Sequence, residues 1–119
     1  MTTSETPDSP PARYKYRLKF VPPALEEWKT LDGSVKEPLR KLLRKRLENP
    51  RVPGAELMGP LRGCYKIKLR KQGYRLIYTM DEDALVVLVL AVDHREDSAA
   101  YQSARERYRR FPSPVKAKA

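Results

Sequence analysis

CYKIKLRKQGYR, residues 64–75, alternates apolar and basic side chains into a turn and resumes after it. Successive side chains of a strand point to opposite faces of a sheet. Tyr65, Ile67 and Leu69 therefore point one way, and Lys66, Lys68 and Arg70 the other. Beyond the turn, Tyr74, Leu76 and Tyr78 form the matching apolar set, which puts Arg75 on the basic face. A tight turn at Lys71-Gln72 sets Lys68 opposite Arg75, whereas a bulge at Gly73 shifts that register. Like charges facing each other across a sheet are destabilising by roughly a few tenths of a kcal/mol or more. A polyanion laid on the face removes that cost. The ordinary alternative is a solvated outer face, since alternation with lysine outside is common in sheets.

Working outward, ALVVLVLAV (residues 84–92) is apolar without alternation, as expected of a strand covered on both faces in the middle of a sheet. Met80-Asp81-Glu82-Asp83 is the turn before it. Near the start, Tyr16, Leu18 and Phe20 alternate with Lys15, Arg17 and Lys19 and predict an amphipathic strand. Pro22-Pro23 stop that strand and open a helix with the apolar stripe Val21, Leu25, Trp28, Leu31. Asp32-Gly33 breaks it. Ser34 and Glu37 have the spacing of a capping box for a second helix. Its apolar face is Val35, Leu39, Leu42, Leu43 and Leu47, with Pro38 near the first turn. Its other face carries Lys36, Arg40, Lys41, Arg44 and Lys45, a run that reads either as solvated or as phosphate-contacting. Residues 50–63 are a Pro/Gly-rich loop, and 98–110 read as a last helix capped by Asp97 or Ser98. The order β-α-α-β-β-β-α predicts an α+β fold: a small, antiparallel-dominated four-stranded sheet with two N-terminal helices packed on one face and a C-terminal helix.

A length of 119 residues suits one domain. Residues 1–13 read as a disordered lead, 14–111 as the folded domain and 112–119 as a basic tail. The chain holds 25 Lys+Arg against 15 Asp+Glu, a net charge of +10, which favours a polyanionic partner. Cys64 is the single cysteine, so no intramolecular disulfide forms, as in a reducing compartment. With no apolar leader and no run of membrane-spanning length, the expectation is a cytoplasmic protein without membrane contact.

One histidine excludes a two-histidine ribonuclease site within the chain. No Cys/His cluster suggests zinc, and Asp81-Glu82-Asp83 reads as a hairpin turn, so no metal or cofactor is expected. Cys64 opens a strand with no histidine partner and reads as a packing residue. Lysine, arginine and tyrosine remain, and these suffice to cleave RNA. A lysine among cations has its ammonium form disfavoured and becomes a usable base. Arginine stabilises the added charge of a pentacoordinate phosphate. RNA supplies its own nucleophile, the 2′-OH.

Three segments, LEEWKTLDGSVKEPLRKLLRKRLENPR, LRGCYKIKLRKQGYRLIYTM and LAVDHREDSAAY, resemble the RelE branch of the RelE/ParE toxin superfamily. The resemblance spans about residues 15–105, and its most specific part is C-Y-K-I-K-L-R-x-x-G-Y-R-L-x-Y. It implies a toxin that enters the ribosomal A site and cuts the mRNA codon there without metal, leaving a 2′,3′-cyclic phosphate and a 5′-hydroxyl. It implies a RelB-like antitoxin and contact with 16S rRNA of the 70S ribosome. Carried over by motif, Lys66 helps hold the phosphate, Lys68 is the general base and Arg75 stabilises the transition state. Arg95 stands at the leaving 5′-oxygen, and Tyr101 orients or stacks on the substrate. The acid and base roles among Lys68, Arg95 and Tyr101 stay open, since arginine is a poor proton donor. His94, Arg70 and the basic face of the second helix are candidate RNA or ribosome contacts. Two other readings stand beside this one: a ParE-like gyrase inhibitor without nuclease activity, and a basic RNA-binding module without catalysis.

Overall fold

The computed structural model describes residues 15–94 and 99–110. In chain order these form β1 (Arg17–Phe20), α1 (Pro22–Lys29), α2 (Gly33–Glu48), a short 3-10 turn (Gly59–Leu61), β2 (Cys64–Leu69), β3 (Tyr74–Asp81), β4 (Val86–His94) and α3 (Ala99–Arg110). The expected lead and tail, and the candidate caps Asp97 and Ser98, lie outside the described residues.

The sheet runs β1-β4-β3-β2. The uniformly apolar strand is central, as its lack of alternation predicts, and Val86 to Val92 are all buried. β2, β3 and β4 are antiparallel, while β1 lies parallel to β4 with Phe20 beside Val89. Ile77 pairs with Ala91 and Tyr78 with Val89, so Leu90 is an extra residue, a β-bulge. β2 would be a bare edge, but Ala55 O accepts from Lys66 N (3.1 Å) and Leu57 N donates to Cys64 O (2.9 Å). The 50–63 loop thus blunts an edge open to pairing with other chains.

Alternation assigns the layers. Tyr65, Ile67, Leu69, Leu76 and Tyr78 share one face, and Arg46 of α2 reaches the Tyr78 hydroxyl there. Phe20 meets Trp28 of α1 with ring centroids 5.5 Å apart. The other face carries Arg75, Ile77 and Thr79, and α3 lies over it: Arg75 stacks on Tyr101. That second cover explains why Ile77, Thr79 and Leu88 are buried on the face that also bears Lys68.

The N-terminus of α2 departs from the capping-box expectation. Asp32 is the cap: its carboxylate accepts from Ser34 N at 3.0 Å and from the Ser34 hydroxyl at 2.6 Å. These bonds favour the ionised form and lower the Asp32 pKa. Glu37 pairs instead with Arg40. Starting the helix at Gly33 leaves Pro38 inside it rather than at its first turn. A proline there removes the donor to the carbonyl four residues back. Gln72 Nε2 approaches that carbonyl, Ser34 O, at 3.5 Å.

The acidic turn is structural. Buried Asp81 accepts from the Asp83 and Ala84 amides at 3.0 and 3.1 Å. Glu82 pairs with Arg51 of the 50–63 loop.

Candidate active site on the sheet

The β2–β3 register puts Lys68 directly opposite Arg75 and Lys66 opposite Ile77. The turn holds four residues, Arg70–Gly73; Gly73, at φ +74°, donates to Leu69 O at 2.8 Å. A positive φ favours glycine, so Gly73 closes the turn without a bulge in this pair. Arg70 therefore sits in the turn, exposed, rather than at the end of β2.

Arg75 is the centre of the site. It is half-buried, and its guanidinium carbon lies 4.2 Å from the Tyr101 ring centroid, well inside cation–π range. Its Nε is buried with no hydrogen-bond partner among the described residues. Asp93 stands opposite Arg75 on its other side, in β4. The face is therefore not purely cationic: Arg75 has a like charge on one neighbouring strand and an opposite charge on the other. Lys66, Lys68, Arg75 and Tyr101 thus come from three elements onto one face, with Asp93 beside them.

Other candidates fall elsewhere. His94 pairs with Tyr74, which puts it on the α2 face, away from Lys68; the two rings are 4.5 Å apart. Lys36, Arg40, Lys41, Arg44 and Lys45 belong to α2, in the layer on that same opposite face. Arg95 lies outside the described residues. Cys64 is fully buried, and burial pushes its thiol pKa up to about 12, so it packs rather than reacts.

Known proteins resemble this chain in sequence and fold. Residues 18–99 match the family model described as the ParE toxin of the type II toxin-antitoxin system, parDE. The mRNA interferase toxin RelE of Escherichia coli K12 is 45% identical over 92 residues, covering 77% of this chain and 96% of that protein. The chain belongs to the RelE/ParE toxin family. An arginine-to-alanine double mutant of E. coli toxin RelE, solved in the free state, superposes with a TM-score of 0.71 at 43% identity, covering 78% of this chain and 97% of that one. E. coli RelE from the intact RelBE toxin-antitoxin complex gives 0.64 at 44% identity, covering 68% of this chain and 98% of that one. Among the described residues no helix is long and apolar enough to cross a membrane.

In this RelE/ParE-family chain, sequence reasoning did not single out three polar residues that tie the helices to the sheet. Arg46 turns inward from α2: its Nη1 donates to the Tyr78 hydroxyl at 2.8 Å and to Lys66 O at 3.2 Å. It thereby grips the backbone of the residue that presents the Lys66 side chain. Glu27 and Arg107 pair at 2.9 Å between α1 and α3. They are 80 residues apart, so no local pattern could pair them. For Arg46 the signal was available: three residues after Leu43 and one before Leu47, it adjoins the buried stripe of α2.

Proposed function

We propose that this chain is the toxin of a type II toxin–antitoxin pair and an endoribonuclease that cuts mRNA in the ribosomal A site. The observation that carries the reading is the convergence of Lys66, Lys68, Arg75 and Tyr101 on one face. Lys68, in its neutral form, takes the proton of the 2′-OH as the oxygen attacks the adjacent phosphorus. Lys66 and Arg75 hold the phosphate oxygens as the fifth bond forms. The P–O5′ bond then breaks; Arg95 stabilises the charge on the leaving oxygen, and water supplies the proton that makes it a 5′-hydroxyl. The products are a 2′,3′-cyclic phosphate and a 5′-hydroxyl, and no metal takes part. Tyr101 orients the substrate by stacking. The relatives' name, mRNA interferase, supports the substrate class.

The basic outer face of α2, with Arg70 and His94, contacts 16S rRNA in this reading. The partner is a RelB-like antitoxin, by analogy with the E. coli RelBE complex. The site of action is the cytoplasm. A second reading, gyrase inhibition, is favoured by one observation: the matching family model is that of the ParE toxin.

Primer extension on mRNA in programmed ribosomes with an empty A site separates them. The expected result is a cut inside the A-site codon by wild type, lost in Lys68→Ala and Arg95→Ala. No cut by wild type overturns the ribonuclease reading, and inhibition of gyrase supercoiling then supports the second.

A further inference from the structure

α3 has little apolar surface with which to fix its position. The side chains it buries fully are Ala100 and Ala104. Yet it carries Tyr101, whose value depends on where the ring sits over Arg75. Polar anchors must set that position.

The main anchor grows out of the β4 bulge. β1 ends beside Val89, so the groups of β4 beyond it have no neighbouring strand on that side. Two of them need partners, Leu90 O and Val92 N, since a buried backbone group without one is costly. Glu27 Oε1 accepts from Val92 N at 3.1 Å. Arg107 Nη1 donates to Leu90 O at 3.0 Å. The two side chains then join each other through both carboxylate oxygens, each at 2.9 Å. Both are largely shielded, with side-chain exposures of 16% for Arg107 and 26% for Glu27. The bidentate geometry fixes orientation as well as distance.

At about 100° per residue, Ala100 and Ala104 lie in the middle of a helical sector roughly 120° wide. Arg107 marks one flank of that sector, and Tyr108 and Tyr101 the other. Arg107 holds its flank against α1 and β4, while the Tyr108 hydroxyl holds the opposite flank on Arg62 O at 3.1 Å. Rolling α3 about its axis requires breaking one of these, and any roll carries Tyr101 off Arg75.

We infer that Glu27 and Arg107 are positioning residues for the reaction: their pairing on the bulge sets the roll of α3 and so places Tyr101 over Arg75. The inference rests on the proposed ribonuclease reading for its catalytic consequence but not for its structural one.

The test has two arms. In the free protein, the Arg75 Nε–H resonance carries a ring-current shift from Tyr101. Arg107→Gln and Glu27→Gln collapse that shift while the Ile77 amide in the central sheet stays protected, and Arg107→Lys gives an intermediate value. An unchanged Arg75 resonance in Arg107→Gln overturns the inference, whatever the protein's activity. In programmed ribosomes, Arg107→Gln slows single-turnover cleavage on the order of 10-fold, one pair of substrate-orienting contacts, with the half-saturating toxin concentration unchanged. Tyr101→Ala slows it similarly, and the double variant is no slower than Tyr101→Ala alone. Multiplying losses overturn the inference, because they mean Arg107 acts other than through Tyr101. Absence of cleavage by wild type instead strikes the ribonuclease reading and leaves the resonance arm to decide this one.

Discussion

Replacing Gly63 by alanine tests how closely α3 is seated on the sheet. Gly63 lies just before β2 at φ +92°, and an added Cβ would stand 2.9 Å from the Tyr108 hydroxyl oxygen. Two costs follow. An alanine held in the left-handed region costs about 1–2 kcal/mol. The displaced hydroxyl gives up its 3.1 Å bond to Arg62 O and its contacts with the Cys64 thiol and Thr79 hydroxyl. A net loss of about 0.5–1.5 kcal/mol is usual for such bonds. The expected total is roughly 2–3 kcal/mol, read as a lower urea midpoint at unchanged slope. Tyr108→Phe supplies the control. It removes the oxygen that the new methyl would strike, so in that background Gly63→Ala costs only the backbone part, about 1–2 kcal/mol. The two substitutions are therefore less than additive, as contacting residues are. Strict additivity, or a Gly63→Ala cost below about 0.5 kcal/mol, refutes the close approach and the seating of α3 built on it.

Other outcomes follow from the same structure. Lys68→Ala and Arg75→Ala lower the cleavage rate by about 10²–10⁴-fold while the far-ultraviolet circular dichroism spectrum is unchanged, because neither side chain belongs to the core. Arg46→Leu removes the donor to Tyr78 and Lys66 O and destabilises by about 1–3 kcal/mol, measured by urea denaturation; a neutral result discards that network. Alkali destabilises the fold. Burial raises the Cys64 pKa from 9.0 to about 12, and burial also raises those of Tyr78 and Tyr108 above the usual tyrosine value. The folded state holds these groups neutral, so their contribution is complete below the unfolded thiol value and is lost as pH rises through the folded one. A urea midpoint that stays level from about pH 8 to about pH 11 contradicts this. Cys64→Ala flattens the lower part of the decline.

The parts legible in the sequence are those where one residue's neighbours in the chain decide its face. Alternation in β2 and the first half of β3 located Lys66, Lys68 and Arg75 together, and the symmetric turn kept the register that a two-residue reading implies. The apolar run of β4 announced its central place but concealed the Leu90 bulge, because a strand buried on both faces shows no break in alternation. Hidden with the bulge was the face on which Asp93 falls. At the start of α2, Asp32 and Ser34 compete as caps; geometry chose Asp32, which also engages Ser34. The opposite placement of α2 and α3 was illegible, since periodicity reports that a helix has a buried side and not which sheet face it covers.

The opening puzzle, a row of like charges on one face, has a two-part answer. Asp93 of β4 is the register partner of Arg75, so the site's centre has an opposite charge on one neighbouring strand as well as a like charge on the other. What remains is a set of cations in two separate places: Lys66, Lys68 and Arg75 on the α3 side of the sheet, and the exposed Lys41 and Lys45 with their α2 neighbours beyond the other side. A short single strand lying on one surface cannot reach both. In the proposed reading, the ribosomal A site supplies an RNA surface on both sides. The two surfaces therefore make separable demands. Neutralising Lys41 and Lys45 together weakens binding to empty-A-site ribosomes and flattens its salt dependence, since each lost phosphate contact lowers the slope by about one unit. The cleavage rate at saturating toxin stays as it was. If these substitutions instead lower the saturated rate and leave the salt slope alone, the basic face of α2 does not hold the toxin on its RNA, and the division of labour between the two layers is wrong.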